Sequence, residues 1–420
     1  MTSETHALEL DAADPLAPFR EEFHIPLGAE GKPVIYLSGN SLGLMPRTAR
    51  AAVDEVMEDW ERLAVEGHFK GPRPWYTFHD QFREPMARVV GAQPDEVVVM
   101  NTLTANLHFL LASFWRPVPG RTRILIEDGA FPSDTYAAES HVAVRGFDPG
   151  HTVVRLAPRP GEHLLRTEAV EGFLATEGDS VALVLLPGVQ YYSGQLLDMQ
   201  RITAAAHRAG ALAGFDLAHA AGNVPLALHD WDVDFAAWCT YKYLNAGPGA
   251  IGAAFVHERH GNDLGRPRMA GWWGNDPGTR FQMHLNRHFV PRSGAEGWAV
   301  SNPPVVAMAP LLASLEQFDR VTMPELRKKS IALTGFLESQ IREAAGEGIT
   351  ILTPADPAER GCQLSLLVHE RSRQVFDQLT AAGIIADYRP PDVIRMAPTP
   401  MYNSFHEMWR VGRVLGEVLG

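Results

Sequence analysis

Between residues 97 and 256 the chain alternates short apolar runs with stretches whose apolar positions recur at helical spacing. The runs at Val97–Met100, Arg123–Glu127, Thr152–Leu156, Val181–Leu186, Leu212–Asp216, Phe235–Cys239 and Ile251–Val256 read as buried strands. Helical patterns at 102–114, 133–144, 166–176 and 198–209 lie between several of them. Strands alternating with helices predict a mostly parallel sheet covered on both faces. Upstream, Val53, Val56, Trp60 and Leu63 predict an amphipathic helix over 47–66, after a weakly patterned arm over 1–45. Beyond 303 the pattern changes. A long helical region at 304–345, broken near Pro324, leads to strand-like pieces at Ile349–Leu352, Gln363–Val368, Ile384–Ala386 and Val393–Met396. A helix at 371–382 lies among them, and Ser404–Leu419 closes the chain as an amphipathic helix. The expected organisation is a large α/β domain over 46–303, with 1–45 and 304–420 forming a smaller α+β domain.

Composition narrows the function. With 420 residues, 45% hydrophobic and 21% charged, the chain can bury a large core. A net charge of −13 argues against a nucleic-acid-binding surface, which needs clustered positive charge. Cys239 and Cys362 are the two cysteines, too few for a disulfide framework or a cysteine-rich metal site, and no metal is expected. Met1–Leu10 is polar and no run of about 18 apolar residues occurs, so the expectation is a cytoplasmic protein outside the membrane.

Open α/β sheets bind ligands beyond the carboxyl ends of their strands. The residues there are Asn101–Thr104, Phe131–Asp134, Asp216–His219 and Tyr241-Lys242. A lysine desolvated beside aromatics becomes nucleophilic toward a carbonyl. Lys242 alone could equally be a surface lysine, and Asp216 alone a helix N-cap. Together they match what pyridoxal phosphate requires, an amine for its aldehyde and a carboxylate for its pyridinium nitrogen. Around that pair, His219 could bond the cofactor or Asp216, or be structural. Phe131 could stack on the ring or belong to the core. Asp134 could serve the ring hydroxyl or start a helix. Leu103 and Thr104 open a helix whose free N–H groups suit a phosphate, or Thr104 is simply a cap. Gly247-Pro248-Gly249-Ala250-Ile251-Gly252 has dinucleotide-fingerprint spacing, but an apolar run follows it, which predicts a tight turn.

Phe215–Ala220, Trp238–Gly247, Gly39–Leu44 and Ala130–Asp134 together resemble the kynureninase family, as do Gly271–Gly274, Ser301–Pro304 and Arg395–Pro398. The resemblance runs in family order from about residue 36 to 410. It implies a fold-type I pyridoxal-phosphate enzyme, usually a homodimer, that hydrolyses L-kynurenine to anthranilate and L-alanine, with 3-hydroxy-L-kynurenine as a second candidate substrate. By motif, Lys242 would carry the cofactor as a Schiff base and move the substrate α-proton, and Asp216 would hold the pyridine nitrogen. Leu103, Thr104, Phe131, Pro132, Ser133, Asp134, His219 and Tyr241 would complete the cofactor site. Trp272 and Asn302 would join it, with a partner subunit as their open alternative source. Arg395 would clamp the α-carboxylate, Tyr241 would donate protons, and Ser41, His68, Trp273 and Asn302 would surround the aryl group. Two departures stand out: Asn275 replaces a histidine common in the family, and Pro187 replaces a serine of some members. A cysteine desulfurase or selenocysteine lyase would need a reactive cysteine, and Cys239 and Cys362 both read as packing residues. A non-catalytic cofactor-binding regulator is the remaining alternative; it would be expected to have lost the lysine.

Overall fold

The computed structural model describes residues 3–29, 31–286 and 288–420. Seven strands form the large sheet: β1 Val97–Val99, β2 Arg123–Glu127, β3 Val153–Leu156, β4 Val181–Pro187, β5 Leu212–Asp216, β6 Phe235–Cys239 and β7 Gly252–Val256. Their order is β1-β7-β6-β5-β4-β2-β3. β7 runs antiparallel to both its neighbours, and the other pairs are parallel. The central strands are apolar on both faces, as burial under two helical layers demands. One apolar cluster covers one face, with Val184, Phe215, Trp238 and Phe255. A second covers the other, with Leu107, Phe114, Ile124 and Phe235.

Every predicted strand of this sheet is present to within a residue at either end. The helix expected at 47–66 stops at Leu63 and tightens into a 3-10 turn over Ala64–His68. The glycine-rich decoy is indeed a turn: Gly247 and Gly249 both take left-handed φ, and the chain passes straight into β7.

The second sheet is antiparallel, with β8 Ile349–Ile351, β9 Leu364–Val368, β10 Asp387–Arg389 and β11 Val393–Met396 in the order β8-β9-β11-β10. Helices Met323–Ala345, Ser372–Ala381 and Phe405–Leu419 contribute to its core, in a cluster that also takes in Ala7, Ile35 and Leu37. The first 45 residues, expected as a weakly patterned arm of the smaller domain, contain regular elements. Glu4–Ala12 is a helix capped by Ser3, whose side chain accepts from His6 N. Asp11 accepts from the N–H groups of Phe405 and His406, fixing this helix to the start of the last one. Ile35–Tyr36 pairs in parallel with Ile384–Ile385. Helix Val305–Phe318 packs along Ala49–Leu63, against the large sheet's core.

The two ends of the large sheet differ chemically. At the edge before β6, Asp234 is ringed by His207, His260 and Arg259. Nearby, Glu96 meets His229, whose ring stacks on His257 at 5.0 Å and 11°. Both rings turn Nδ1 toward the same Glu96 oxygen, at 2.9 and 3.7 Å. The opposite edge carries the lysine.

Candidate active site

Asp216 ends β5 and Lys242 follows β6, its parallel neighbour, so the two emerge side by side. Lys242 Nζ lies 2.9 Å from His219 Nε2. A lysine amine and an imidazole nitrogen at this distance share one hydrogen, which ties the amine to the ring. Burial, then the charges of Lys242, Arg395 and Arg389, push the His219 pKa well below its usual value and keep the ring neutral. Its Nδ1 is buried with no hydrogen-bond partner among the described residues.

Asp216 Oδ1 accepts from Ala218 N at 2.6 Å. Asp134, in the first turn of helix Pro132–Val144, lies against it. Burial, with the Asp216 charge and hydrogen bond, holds the Asp134 pKa well above the carboxylate range, so Asp134 keeps its proton. The floor is thus a pair of adjoining acidic side chains, and the buried Asp134 Oδ1 also lacks a partner among the described residues. Above it, Phe131 is 40% exposed, a high value for a phenylalanine beside a polar site. Its ring centre is 6.0 Å from Lys242 Nζ and 5.2 Å from the Tyr191 ring, edge-on.

Two helices start at this edge, Leu103–Phe114 and Pro132–Val144, and neither has a side-chain cap on its first N–H groups. Thr104 Oγ1 and Ser133 Oγ, one from each first turn, are 2.9 Å apart. Paired helix N-termini with adjacent hydroxyls suit a phosphate. The residues fit pyridoxal phosphate: a phosphate cradle, an open aromatic face, an amine, and a buried acid pair with an orphaned oxygen.

The segment carrying Lys242 is clamped from the N-terminal side. Gly43 N donates to Tyr241 O at 2.8 Å, and a Cβ at Gly43 would clash with Lys242 O and Asn245 Oδ1. Asn40 donates to Gln363 at 2.7 Å, and Gln363 donates on to Tyr191 O at 3.0 Å. Burial raises the Tyr241 phenol pKa, with Cys239 and Asp216 adding to the shift, so Tyr241 stays protonated.

Arg395 is 1% exposed on β11. Its Nε donates to Asp387 Oδ2 at 2.5 Å, its Nη2 donates to the same oxygen, and its Nη1 donates to Tyr191 O at 2.5 Å. It is therefore both an ion-pair arginine and a neighbour of the site. Asp387 and Arg389, absent from the sequence-based set, face it from β10. The sequence carried no signal for them: the observed antiparallel register sets Asp387 directly opposite Arg395, with Arg389 two residues on along the same strand.

Other predicted residues are not gathered here. Among the described residues, no hydrogen bond or ring contact joins Ser41, His68, Trp272, Trp273 or Asn302 to Lys242. His68 packs edge-on against Trp75 at 5.4 Å. Trp272 and Trp273 meet edge-on at 5.0 Å and pack beside Val98 and Met100. Asn302 is exposed, beside a small cavity shared with Trp273 and His79. Asn275 turns into its own loop, accepting from Val290 N at 2.9 Å. Pro187 is the last residue of β4, opposite Asp216. A cleft of about 980 Å³ lies elsewhere, between Arg166, Arg201, Trp231 and Glu359.

Residues 326–415 match the model of the kynureninase C-terminal domain. The kynureninase of Koribacter versatilis (strain Ellin345) is 50% identical, the match covering 97% of this chain and 96% of that one. That of Xanthomonas campestris pv. campestris (strain B100) is 54% identical at the same coverage. The chain belongs to the kynureninase family. Among solved structures, the cystine C–S lyase C-DES in complex with cysteine persulfide superposes with a TM-score of 0.76 at 19% identity, covering 91% of this chain and 97% of that one. The cysteine desulfurase of Thermococcus onnurineus NA1 gives 0.74 at 17%, covering 96% and 97%. At such identities the likeness is one of fold, and it places this kynureninase-family chain on the fold-type I scaffold. Desulfurase chemistry finds no thiolate here. Cys239 and Cys362 are both buried, and burial raises both thiols, Cys362 to about 12.

Proposed function

We propose that Lys242, His219, Asp216 and Asp134 form the working centre of a pyridoxal-phosphate enzyme acting on kynurenine. The chain is a kynureninase-family hydrolase: it cleaves the Cβ–Cγ bond of L-kynurenine to give anthranilate and L-alanine, with pyridoxal phosphate as cofactor. The observation that carries the site assignment is the 2.9 Å contact from Lys242 Nζ to a neutral, fully buried His219, beside the Asp134–Asp216 pair.

When bound, pyridoxal phosphate supplies an aldehyde for amine attachment and a ring that accepts electrons from the substrate. Lys242 Nζ would hold it and, once released from it by the substrate amine, would take the substrate α-proton, with His219 Nε2 keeping that amine in place. Asp216 provides the negative charge for a ring N–H, while Asp134 keeps its own proton and so leaves a single net charge on the floor. Leu103, Thr104 and Ser133 would hold the phosphate, Pro132 would border it at the helix start, and Phe131 would cover the ring. Tyr241 donates protons to the departing groups. Arg395 offers its remaining N–H fork to the α-carboxylate. Trp272, Trp273, Asn302, Ser41 and His68 are assigned to cofactor and aryl binding by motif alone.

The reading extends to a cytoplasmic homodimer. Two free cysteines suit a reducing compartment. Val65, Phe69, Phe281 and Leu285 are 56–72% exposed, and Phe69 and Phe281 touch, an apolar surface suited to a second copy. A dimer would also give Trp272 and Asn302 a site to reach. The proposed division is 46–303 as the cofactor-binding unit, with 1–45 and 304–420 as the smaller one, save that helix Val305–Phe318 packs with the larger unit.

Incubating the holoenzyme with kynurenine should release anthranilate, read by its fluorescence, and Lys242→Ala should abolish release. Borohydride reduction should fix the cofactor on the peptide containing residue 242. A label on another lysine would reject the assignment.

A further inference from the structure

Arg395 is read above as the clamp for the substrate carboxylate, yet its guanidinium already carries a carboxylate. Nε and Nη2 both donate to Asp387 Oδ2, so Asp387 occupies the lateral edge of the fork. A lone Asp387–Arg395 pair would be neutral and a weak attractor for an anion. It is not alone. Arg389 Nε donates to the same oxygen at 3.0 Å, and its side chain is 37% exposed where that of Arg395 is 1% exposed. Asp387 and Arg389 lie two residues apart on β10, so their side chains leave the same face of the sheet, and Asp387 is directly opposite Arg395. The three charges sum to a single positive one, matched to a monocarboxylate. The charges of both arginines lower the His219 pKa, so the electrostatic influence of this group extends to the partner of Lys242.

We propose that Arg389 is a specificity-determining residue for the substrate carboxylate: it cancels the charge of Asp387, so that Asp387 can hold Arg395 in orientation without neutralising it. Three groups then divide the task. Arg395 presents the fork, Asp387 and the Tyr191 carbonyl fix its plane, and Arg389 supplies the surplus positive charge. Two N–H groups of Arg395 remain beyond those given to Asp387 and Tyr191, enough for one carboxylate.

The inference rests on Arg395 being the clamp, and the experiment separates the two. Holoenzymes carrying R389Q, R389K, D387N/R389Q and R395A are compared with the parent for kynurenine KM and kcat. The inhibition constant of L-alanine, a product with the same carboxylate, is measured alongside, with melting temperature and cofactor absorbance as checks on folding and loading. R389Q should raise KM and the L-alanine constant together, by about tenfold, with KM rising more than kcat falls. R389K keeps the charge and should stay within about threefold of the parent. D387N/R389Q restores a net single positive charge and should recover most of the loss. An R389Q enzyme with parental constants, an R389K enzyme as poor as R389Q, or a double variant no better than R389Q would overturn the proposal. If R395A leaves KM unchanged, the clamp reading itself falls.

Discussion

Gly43→Ala tests whether the N-terminal loop is seated on the lysine segment as tightly as the structure shows. The backbone at Gly43 has no left-handed φ, so alanine is conformationally acceptable there. The obstacle is space. A new Cβ would lie 2.8 Å from Asn245 Cα and closer still to Lys242 O and Asn245 Oδ1. Neither neighbour can yield freely: Lys242 O accepts from Asn245 N at 3.0 Å, and Asn245 already occupies left-handed φ. The loop must lift instead, losing the Gly43 N–H bond to Tyr241 O. That bond is worth about 1 kcal/mol and the overpacking about 1–3 kcal/mol more. With about 2.1 cal/mol/K of unfolding entropy per residue, a chain of 420 residues loses about 2–4 °C in Tm. Cofactor absorbance should weaken as well, because the lifted loop no longer clamps Tyr241, the neighbour of Lys242. Gly335→Ala supplies the control. It sits in helix Met323–Ala345 with nothing within 4 Å of its would-be Cβ, and should stabilise by about 0.5–1 kcal/mol. Differential scanning fluorimetry of both holoenzymes decides the matter. If G43A melts with the parent, or both swaps shift Tm in the same direction, the close approach is not real.

Two further outcomes follow from buried polar groups. Burial raises the Glu127 pKa to about 7, with Asp128 adding and Gln190 opposing, and its Oε2 has no partner among the described residues. The folded value lies above the unfolded one of about 4.3, so the proton-linked stability is full below pH ~4 and lost as pH rises through ~7. Glu127→Gln keeps the neutral form and should gain on the parent by up to about 3 kcal/mol between pH 5 and 8; parallel Tm-versus-pH curves would contradict this. Thr104→Ala removes one hydroxyl from the helix-end pair and should speed cofactor loss in dialysis several-fold without lowering Tm. Unchanged retention would move the phosphate elsewhere.

The large sheet was legible because each strand is a short apolar run bounded by polar or turn residues, and the site was legible because ligands gather at strand ends. Helix Glu4–Ala12 was not legible. It buries only Ala7, so it has no apolar stripe, and it is held by Asp11 bonding to residues almost 400 positions away. β10 was missed for a related reason: Asp387, Tyr388 and Arg389 are all half-buried, giving no alternation to read. Arg395 shows the same limit from the other side. Its motif marked the position, but only the strand register reveals that Asp387 and Arg389 share its face. The Trp272–Trp273 segment and Asn302 were named by motif, and within one chain their side chains do not reach the lysine.

The ties between Asn40 and Gln363, Tyr36 and Asn403, and Arg20 and Glu407 join the beginning of the chain to its end. A ribosome adds about 5–20 residues per second, so 420 residues take about 20–80 s, and the lysine is made well before the strands that complete its surroundings. A nascent or prematurely terminated chain therefore exposes an amine without its carboxylate clamp. Competence arrives only with the last few dozen residues.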